Sequence, residues 1–159
     1  MRAVKINLYS VQSSKEKWFD QACSLYDKKL QAFCRFESVM LKSKAMARKN
    51  SAEKIASDSE QILKRLKPND YVVLCDERGK TFNSQQFSKQ LISWLEVGGS
   101  EVNFIIGGAF GASEELQKRA NAKICLAPWV MNHHVAHVVL LEQIYRGFSI
   151  WKGLPYHNE

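Results

Sequence analysis

The sequence predicts an α/β domain whose sheet is mostly parallel, with helices on both faces. Two observations carry this. Short apolar runs alternate with amphipathic helical segments along the whole chain, the order expected of β-α units. Two of those runs, 71–75 and 104–106, are apolar at every position, as strands covered on both faces are. In such sheets ligands bind beyond the carboxyl ends of the strands. The segments 75–79, 107–111 and 126–132 all fall at such ends, so three loops are expected to converge there.

The elements follow in order. Val4, Ile6, Leu8 and Val11 mark an opening strand over roughly 3–10. Ser13 or Ser14 caps a helix whose stripe is Trp18, Ala22, Leu25, Tyr26, Leu30 and Phe33. A second strand covers 35–41, with Phe36, Ser38 and Met40 on one face. The segment 42–50 is basic and aperiodic, with Lys42, Lys44, Arg48 and Lys49. It reads as a loop able to touch an RNA backbone, where flexible positive charge is enough. An amphipathic helix over 51–67 carries Ile55, Ile62, Leu63 and Leu66, and Pro68 and Asn69 end it. The third strand, 71–75, runs into a turn at 76–80. Ser84 caps the next helix, with Phe87, Leu91, Trp94 and Leu95 inward and Gly98 and Gly99 stopping it.

Phe104, Ile105 and Ile106 end in Gly107, Gly108 and Gly111, where the backbone can turn sharply and approach a ligand. Ser113 caps a short helix with Glu114 and Glu115 in its first turn. This strand, glycine loop and helix is not a phosphate cradle. The spacing is not G-x-G-x-x-G, no Gly-Lys-Ser/Thr follows, and two carboxylates at the helix start repel phosphate. The last helix covers roughly 134–150. Its start is apolar nearly all round (Val135, Ala136, Val138, Val139, Leu140, Leu141), which calls for cover by a second copy in a two-fold dimer.

A chain of 159 residues, 45% apolar, fits one domain over 1–159. No apolar run approaches the length of a membrane span, and the N-terminal residues lack a signal-peptide pattern, so a cytoplasmic protein is expected. Four scattered cysteines, with no C-x-x-C, suit reduced thiols rather than a metal or redox motif. A net charge of +7 favours an acidic partner such as nucleic acid.

The ordered set Gly79-Lys80, Ile106-Gly-Gly-Ala-Phe-Gly111, His133, Val138, Glu142-Gln143-Ile144-Tyr145-Arg146 and Tyr156-His157 resembles the ribosomal large subunit methyltransferase H family, small members of the SPOUT class. The resemblance covers essentially the whole chain. It implies a parallel sheet whose C-terminal segment passes through a loop as a trefoil knot, which is rare among folds. It also implies a homodimer that uses S-adenosylmethionine to methylate N3 of a pseudouridine in 23S rRNA of the large subunit or assembled ribosome. No metal and no membrane are implied. Carried over residue by residue, the cofactor pocket comprises Cys75, Gly107, Gly108, Ala127, Pro128, Trp129, Val130, Met131 and Asn132. His157 and His133 are the candidates to assist loss of the N3 proton, with Arg146 and Tyr156 beside them. Lys80, His137 and Glu142 are the substrate-facing candidates.

Some positions depart from the family pattern. Cys75 stands where leucine is usual, Asn132 where proline is usual, and Asn158 where a basic residue is common. His137 replaces an arginine, exchanging a fixed charge for a titratable one. On that reading activity should depend on pH between about 6 and 8, since an unperturbed histidine titrates near 6.5. Two rival classes compete. His133 and His137, at i and i+4, could serve a metal hydrolase, but no H-E-x-x-H glutamate or third ligand is evident. A basic RNA-binding module of the same fold without turnover is the other.

Overall fold

The structure, a computed structural model, describes residues 3–12, 14–44, 50–108 and 110–158. Five strands alternate with five helices. They are β1 (Lys5–Gln12), α1 (Lys17–Leu30), β2 (Arg35–Lys42), α2 (Ser51–Leu63), β3 (Val72–Lys80), α3 (Ser84–Val97), β4 (Glu101–Ile106), α4 (Glu114–Arg119), β5 (Ala122–Ile124) and α5 (His133–Trp151). All strand pairings are parallel, in the order β2-β1-β4-β3-β5. The sheet is thus the expected one.

Alternation along the strands divides the core. Ile6, Leu8, Val73, Phe104 and Ile106 face one side with residues of α1, α3 and α5, among them Phe19, Leu91, Leu140 and Phe148. Val11, Val72, Leu74 and Ile105 face the other with Ile62 of α2 and Leu116 of α4. Helices therefore cover both faces, which is why the central strands are apolar at consecutive positions. α3 and α5 pack closely at Gly147, whose carbonyl accepts from Ser88 Oγ at 2.6 Å.

Several expectations change. α1 is capped by Glu16 without a side-chain bond; Ser13 lies outside the described residues. Its buried stripe is Phe19, Cys23 and Leu30, while Trp18 and Leu25 are 46% and 53% exposed. Met40, read on one face with Phe36 and Ser38, is exposed, and the buried residues of β2 are Phe36 and Leu41. Asn50 and Asn83 cap α2 and α3, the latter in a capping box with Gln86, so Ser84 is the first helical residue rather than the cap. Ser113 caps α4 as expected, accepting from the Leu116 N–H at 3.1 Å. The core of the basic segment, 45–49, lies outside the described residues.

The larger difference is at 76–80. A turn was expected there; instead β3 continues to Lys80 with a register shift, and both Cys75 and Lys80 partner Ile124 of β5. The N–H of Cys125 then donates to the Lys80 carbonyl at 2.9 Å. β5 was not foreseen. It is three residues long and is placed by this pairing beside β3, across the sheet from where β4 would lead.

Candidate active site

Because the strands are parallel, their carboxyl ends share one edge. The second half of β3, from Cys75 to Arg78, and the loops after β4 and β5 meet there around a cavity of about 370 Å³, within the range of small-molecule sites. Cys75, Gly107, Gly108, Ala127, Pro128, Trp129, Val130 and Met131 all line it, as does His133 at the start of α5. The sequence reading missed Glu77, Arg78, Phe110 and Ala112, which also line the cavity. Glu77, Arg78 and Phe110 lie inside the converging segments expected from the sequence, and Ala112 just past one of them.

The lining is mixed in character. Burial, with Cys125 and Asp76 adding to it, pushes the Cys75 thiol up to about 12, so it stays protonated. Asp76 is held below the ordinary carboxylate range by the Arg78 guanidinium, its partner at 3.0 Å. The Cys125 thiol donates to the Ala127 carbonyl at 3.0 Å, fixing the first turn of the 126–132 loop. At the rim, Trp129 and Val130 are 79% and 95% exposed. Glu114 and Glu115 occupy the first turn of α4 and disfavour a phosphate there.

His133 presents a ring whose Nε2 is buried without a partner. Burial lowers its pKa, and His134 and Lys54 lower it further, so the imidazole is biased to its neutral, proton-accepting form. Asn132 differs from expectation. It is exposed, does not line the cavity, and caps α5 by accepting from the His134 N–H at 2.8 Å. An asparagine serves well as an N-cap, and the side chain is committed to that bond.

His137 is a clearer correction. It is fully buried on the sheet side of α5, with Nδ1 3.0 Å from Ser10 Oγ and its ring 5.0 Å from that of Phe19. It faces the core, not a substrate, and does not form a solvent-facing pair with His133. Burial, with a lesser contribution from His134, lowers its pKa to about 4. The ring is therefore neutral throughout the pH 6–8 range in which activity was expected to vary, and His137→Arg would bury a charge. The titration is expected in stability instead. The folded pKa lies below the unfolded value near 6.5, so unfolding takes up a proton between them. Stability should fall as pH drops from about 6.5 to about 4, by an amount on the order of 3 kcal/mol. Urea unfolding against pH should show this decline in the wild type and a shallower one in His137→Leu.

The remaining candidates form a second cluster, well away from the cavity. Arg146 holds Glu142 Oε1 through Nε at 3.0 Å and Nη2 at 2.6 Å. Tyr156 donates to the same oxygen at 3.2 Å, and Arg146 Nη1 lies 3.2 Å from His157 Nδ1. The Arg146 guanidinium also lies 4.8 Å from the centre of the Tyr156 ring, and Tyr156 packs edge-on to Tyr145. Gln143 donates to the other Glu142 oxygen at 2.7 Å. The tail thus folds back on its own α5. From His133 to Arg146 the helix rises by roughly 20 Å, so this cluster does not reach its own cavity. Lys80 is exposed, its ammonium 5.3 Å from the centre of the Phe82 ring, and it does not line the cavity either. No helix among the described residues is long and apolar enough to cross a membrane.

Comparison with known proteins places this arrangement. The family described as predicted SPOUT methyltransferase matches residues 4–157. The chain is 47% identical over 155 residues to the ribosomal RNA large subunit methyltransferase H of Bdellovibrio bacteriovorus, covering 98% of this chain and 99% of that one. It is 37% identical to the protein of that name from Clostridium acetobutylicum, over 98% and 100% of the two chains. Among solved structures, a tRNA methyltransferase from Aquifex aeolicus superposes with a TM-score of 0.52 at 12% identity, over 89% of this chain and 69% of that one; this likeness shows the fold alone. With the matched family spanning the strand-end cavity, α5 and the tail alike, the chain belongs to the SPOUT methyltransferases, in the ribosomal RNA large subunit methyltransferase H family.

Proposed function

We propose that this protein is a cytoplasmic, S-adenosylmethionine-dependent methyltransferase that modifies N3 of a pseudouridine in 23S rRNA, acting as a homodimer on the large subunit or the assembled ribosome. The observation that carries the reading is the convergence of the Cys75–Arg78 segment of β3 and the loops after β4 and β5 on one cavity. The names of the full-length relatives supply the substrate class.

The lining fits the cofactor. The Glu77 carboxylate suits a ligand with cationic groups, while Asp76 and Arg78, which also line the cavity, are paired with each other. S-adenosylmethionine supplies a methyl group on a sulfonium, and its transfer chiefly requires in-line alignment with the attacking nitrogen. Gly107, Gly108 and the 126–131 loop would hold it, with backbone close to the ligand. The N3–H must also lose its proton. His133 is poised as acceptor by its lowered pKa and its unpartnered Nε2. His157 is the other candidate. Arg146 fixes it at Nδ1 and Glu142 fixes Arg146, so the ring sits in a defined orientation. Lys80 and the net charge of +7 favour RNA.

The reading includes a second copy. The cavity and the Tyr156–His157 cluster lie at different ends of α5. Val135, Trp151 and Leu154, each at least 40% exposed along this helix and tail, are available to a partner. A two-fold partner that covers them brings its tail to this cavity. The reading also includes a trefoil knot in the C-terminal segment. In its favour, the 75–80 segment wraps Ile124 closely enough for both its ends to pair with that residue. The alternative of an RNA-binding module without turnover drew on the loss of arginine at 137. With His137 in the core, that substitution does not bear on the substrate.

The direct test is calorimetry with S-adenosylmethionine in the presence of a chelator. Saturable binding without metal is expected; no heat at high ligand concentration would sink the reading.

A further inference from the structure

One carboxylate contradicts the pattern of its helix. α2 presents Ile62 to the core, yet Asp58 and Ser59, one turn earlier, are each only 2% exposed. A buried carboxylate is costly unless its oxygens are engaged. Asp58 Oδ1 accepts from the Ser43 hydroxyl at 2.7 Å. Its Oδ2 lies against Gly108, so close that a Cβ on that glycine would collide with it. Ser59 Oγ accepts from the backbone N–H of Ser113 at 2.9 Å. Adjacent residues of α2 therefore meet the glycine loop near both ends, Asp58 by packing against Gly108 and Ser59 by a hydrogen bond to Ser113. The loop is also bridged across itself, the Gly111 N–H donating to the Gly108 carbonyl at 3.0 Å.

This explains Gly108. Its φ is not in the left-handed region, unlike that of Gly111, so backbone conformation does not demand a glycine there. The missing side chain makes room for Asp58. Gly108 in turn lines the cavity, while no residue of α2 does. Asp58 thus touches the loop and not the ligand. It is seated by Ser43, just past the end of β2, which is itself tied to α2 where Gln61 Nε2 donates to the Lys42 carbonyl at 3.1 Å.

We infer that Asp58, seated by Ser43, is a positioning residue that shapes the glycine loop for the cofactor. The inference rests on the reading of the cavity as an S-adenosylmethionine site, and its test separates the two. Amide hydrogen exchange on the protein without ligand is compared with cofactor titration, for wild type, Asp58→Asn, Asp58→Ala and Ser43→Ala. Asp58→Ala should raise exchange across 107–113 and weaken cofactor binding by about tenfold, the scale of leaving the buried Ser43 hydroxyl unpartnered and a gap beside Gly108. Asp58→Asn, which keeps the shape, and Ser43→Ala should each fall between it and wild type. Exchange in β1, β3 and β4 should not change. In turnover the cofactor KM should rise with kcat unaltered at saturation, a split that general destabilisation does not produce. Wild-type affinity and loop exchange in both Asp58 variants would overturn the inference. If Asp58→Ala does not fold, Ser43→Ala, which keeps the carboxylate, decides by the same readouts. If the wild type binds no cofactor, the cavity reading fails while the exchange data still judge Asp58.

Discussion

Mixing two inactive variants is expected to restore about a quarter of wild-type activity. One lacks residues 156–159; the other carries Gly108→Trp, which fills the cavity and strikes Asp58. The expectation follows from the separation between the cavity and the Tyr156–His157 cluster along α5. If a partner's tail completes each site, a mixed dimer holds one intact pocket facing one intact tail. Random exchange makes about half of the dimers mixed, each with one working site of two, hence about a quarter. Each variant alone should be inactive, and the truncated one should still bind cofactor. If the tail serves its own subunit, every mixed dimer lacks a complete site. Absence of recovery, with exchange confirmed by mass spectrometry, would show the site to be built within one chain.

How far the sequence could be read depended on what each segment packs against. The face of α3 was legible because Phe87, Leu91, Trp94 and Leu95 keep a clean helical period and all four are buried. The α1 stripe was read correctly at Leu30, Tyr26 and Phe33 but not at Trp18 and Leu25. Trp18 and Leu25 are large and apolar but half exposed, while Phe19 and Cys23 beside them carry the packing. One residue is about 100° of helix rotation, so hydrophobicity alone could not choose the face. β5 was invisible because three residues give no period; only its pairing with Cys75 and Lys80 makes it a strand.

The site divides in the same way. The cavity segments were legible because parallel strands point to a common edge, and the apolar runs of β3 and β4 led into two of them, although β3 itself continues to Lys80. The Glu142–Arg146 pair was legible from its i, i+4 spacing. Tyr156 bonding to that same carboxylate, fourteen positions away, was not. His137 was misread because a sequence names a side chain without saying which way its helix turns; here the ring meets Ser10 and Phe19. Asp58 was passed over for the converse reason. An acidic residue on an amphipathic helix reads as solvated, and only the tertiary approach of Gly108 shows otherwise.

The largest effect on stability is expected at Gly79. A Cβ built there would sit 2.5 Å from the backbone carbonyl carbon of Ile124, 2.6 Å from its nitrogen and 2.7 Å from its Cα. Flexible side-chain atoms can give way, but backbone can do so only if the strand moves. Ile124 is fixed on both sides, by its pairing with Cys75 and with Lys80. Gly79→Ala must therefore part β3 from β5, at a cost of about 2–4 kcal/mol, the range of overpacking with loss of strand pairing. Gly79→Val should leave little folded protein. The displacement also has a functional reach, because β5 leads directly into the 126–131 loop that lines the cavity. Folded Gly79→Ala protein should bind cofactor more weakly than wild type. Gly153→Ala is the control. Its φ of 67° is unfavourable for alanine, but no atom lies within 4 Å of the added carbon, so its cost should stay near 1 kcal/mol. Urea denaturation of the three proteins tests this ordering. A Gly79→Ala midpoint equal to wild type would mean that β5 does not press on β3 there in solution, and the contact proposed to enclose Ile124 would be lost with it.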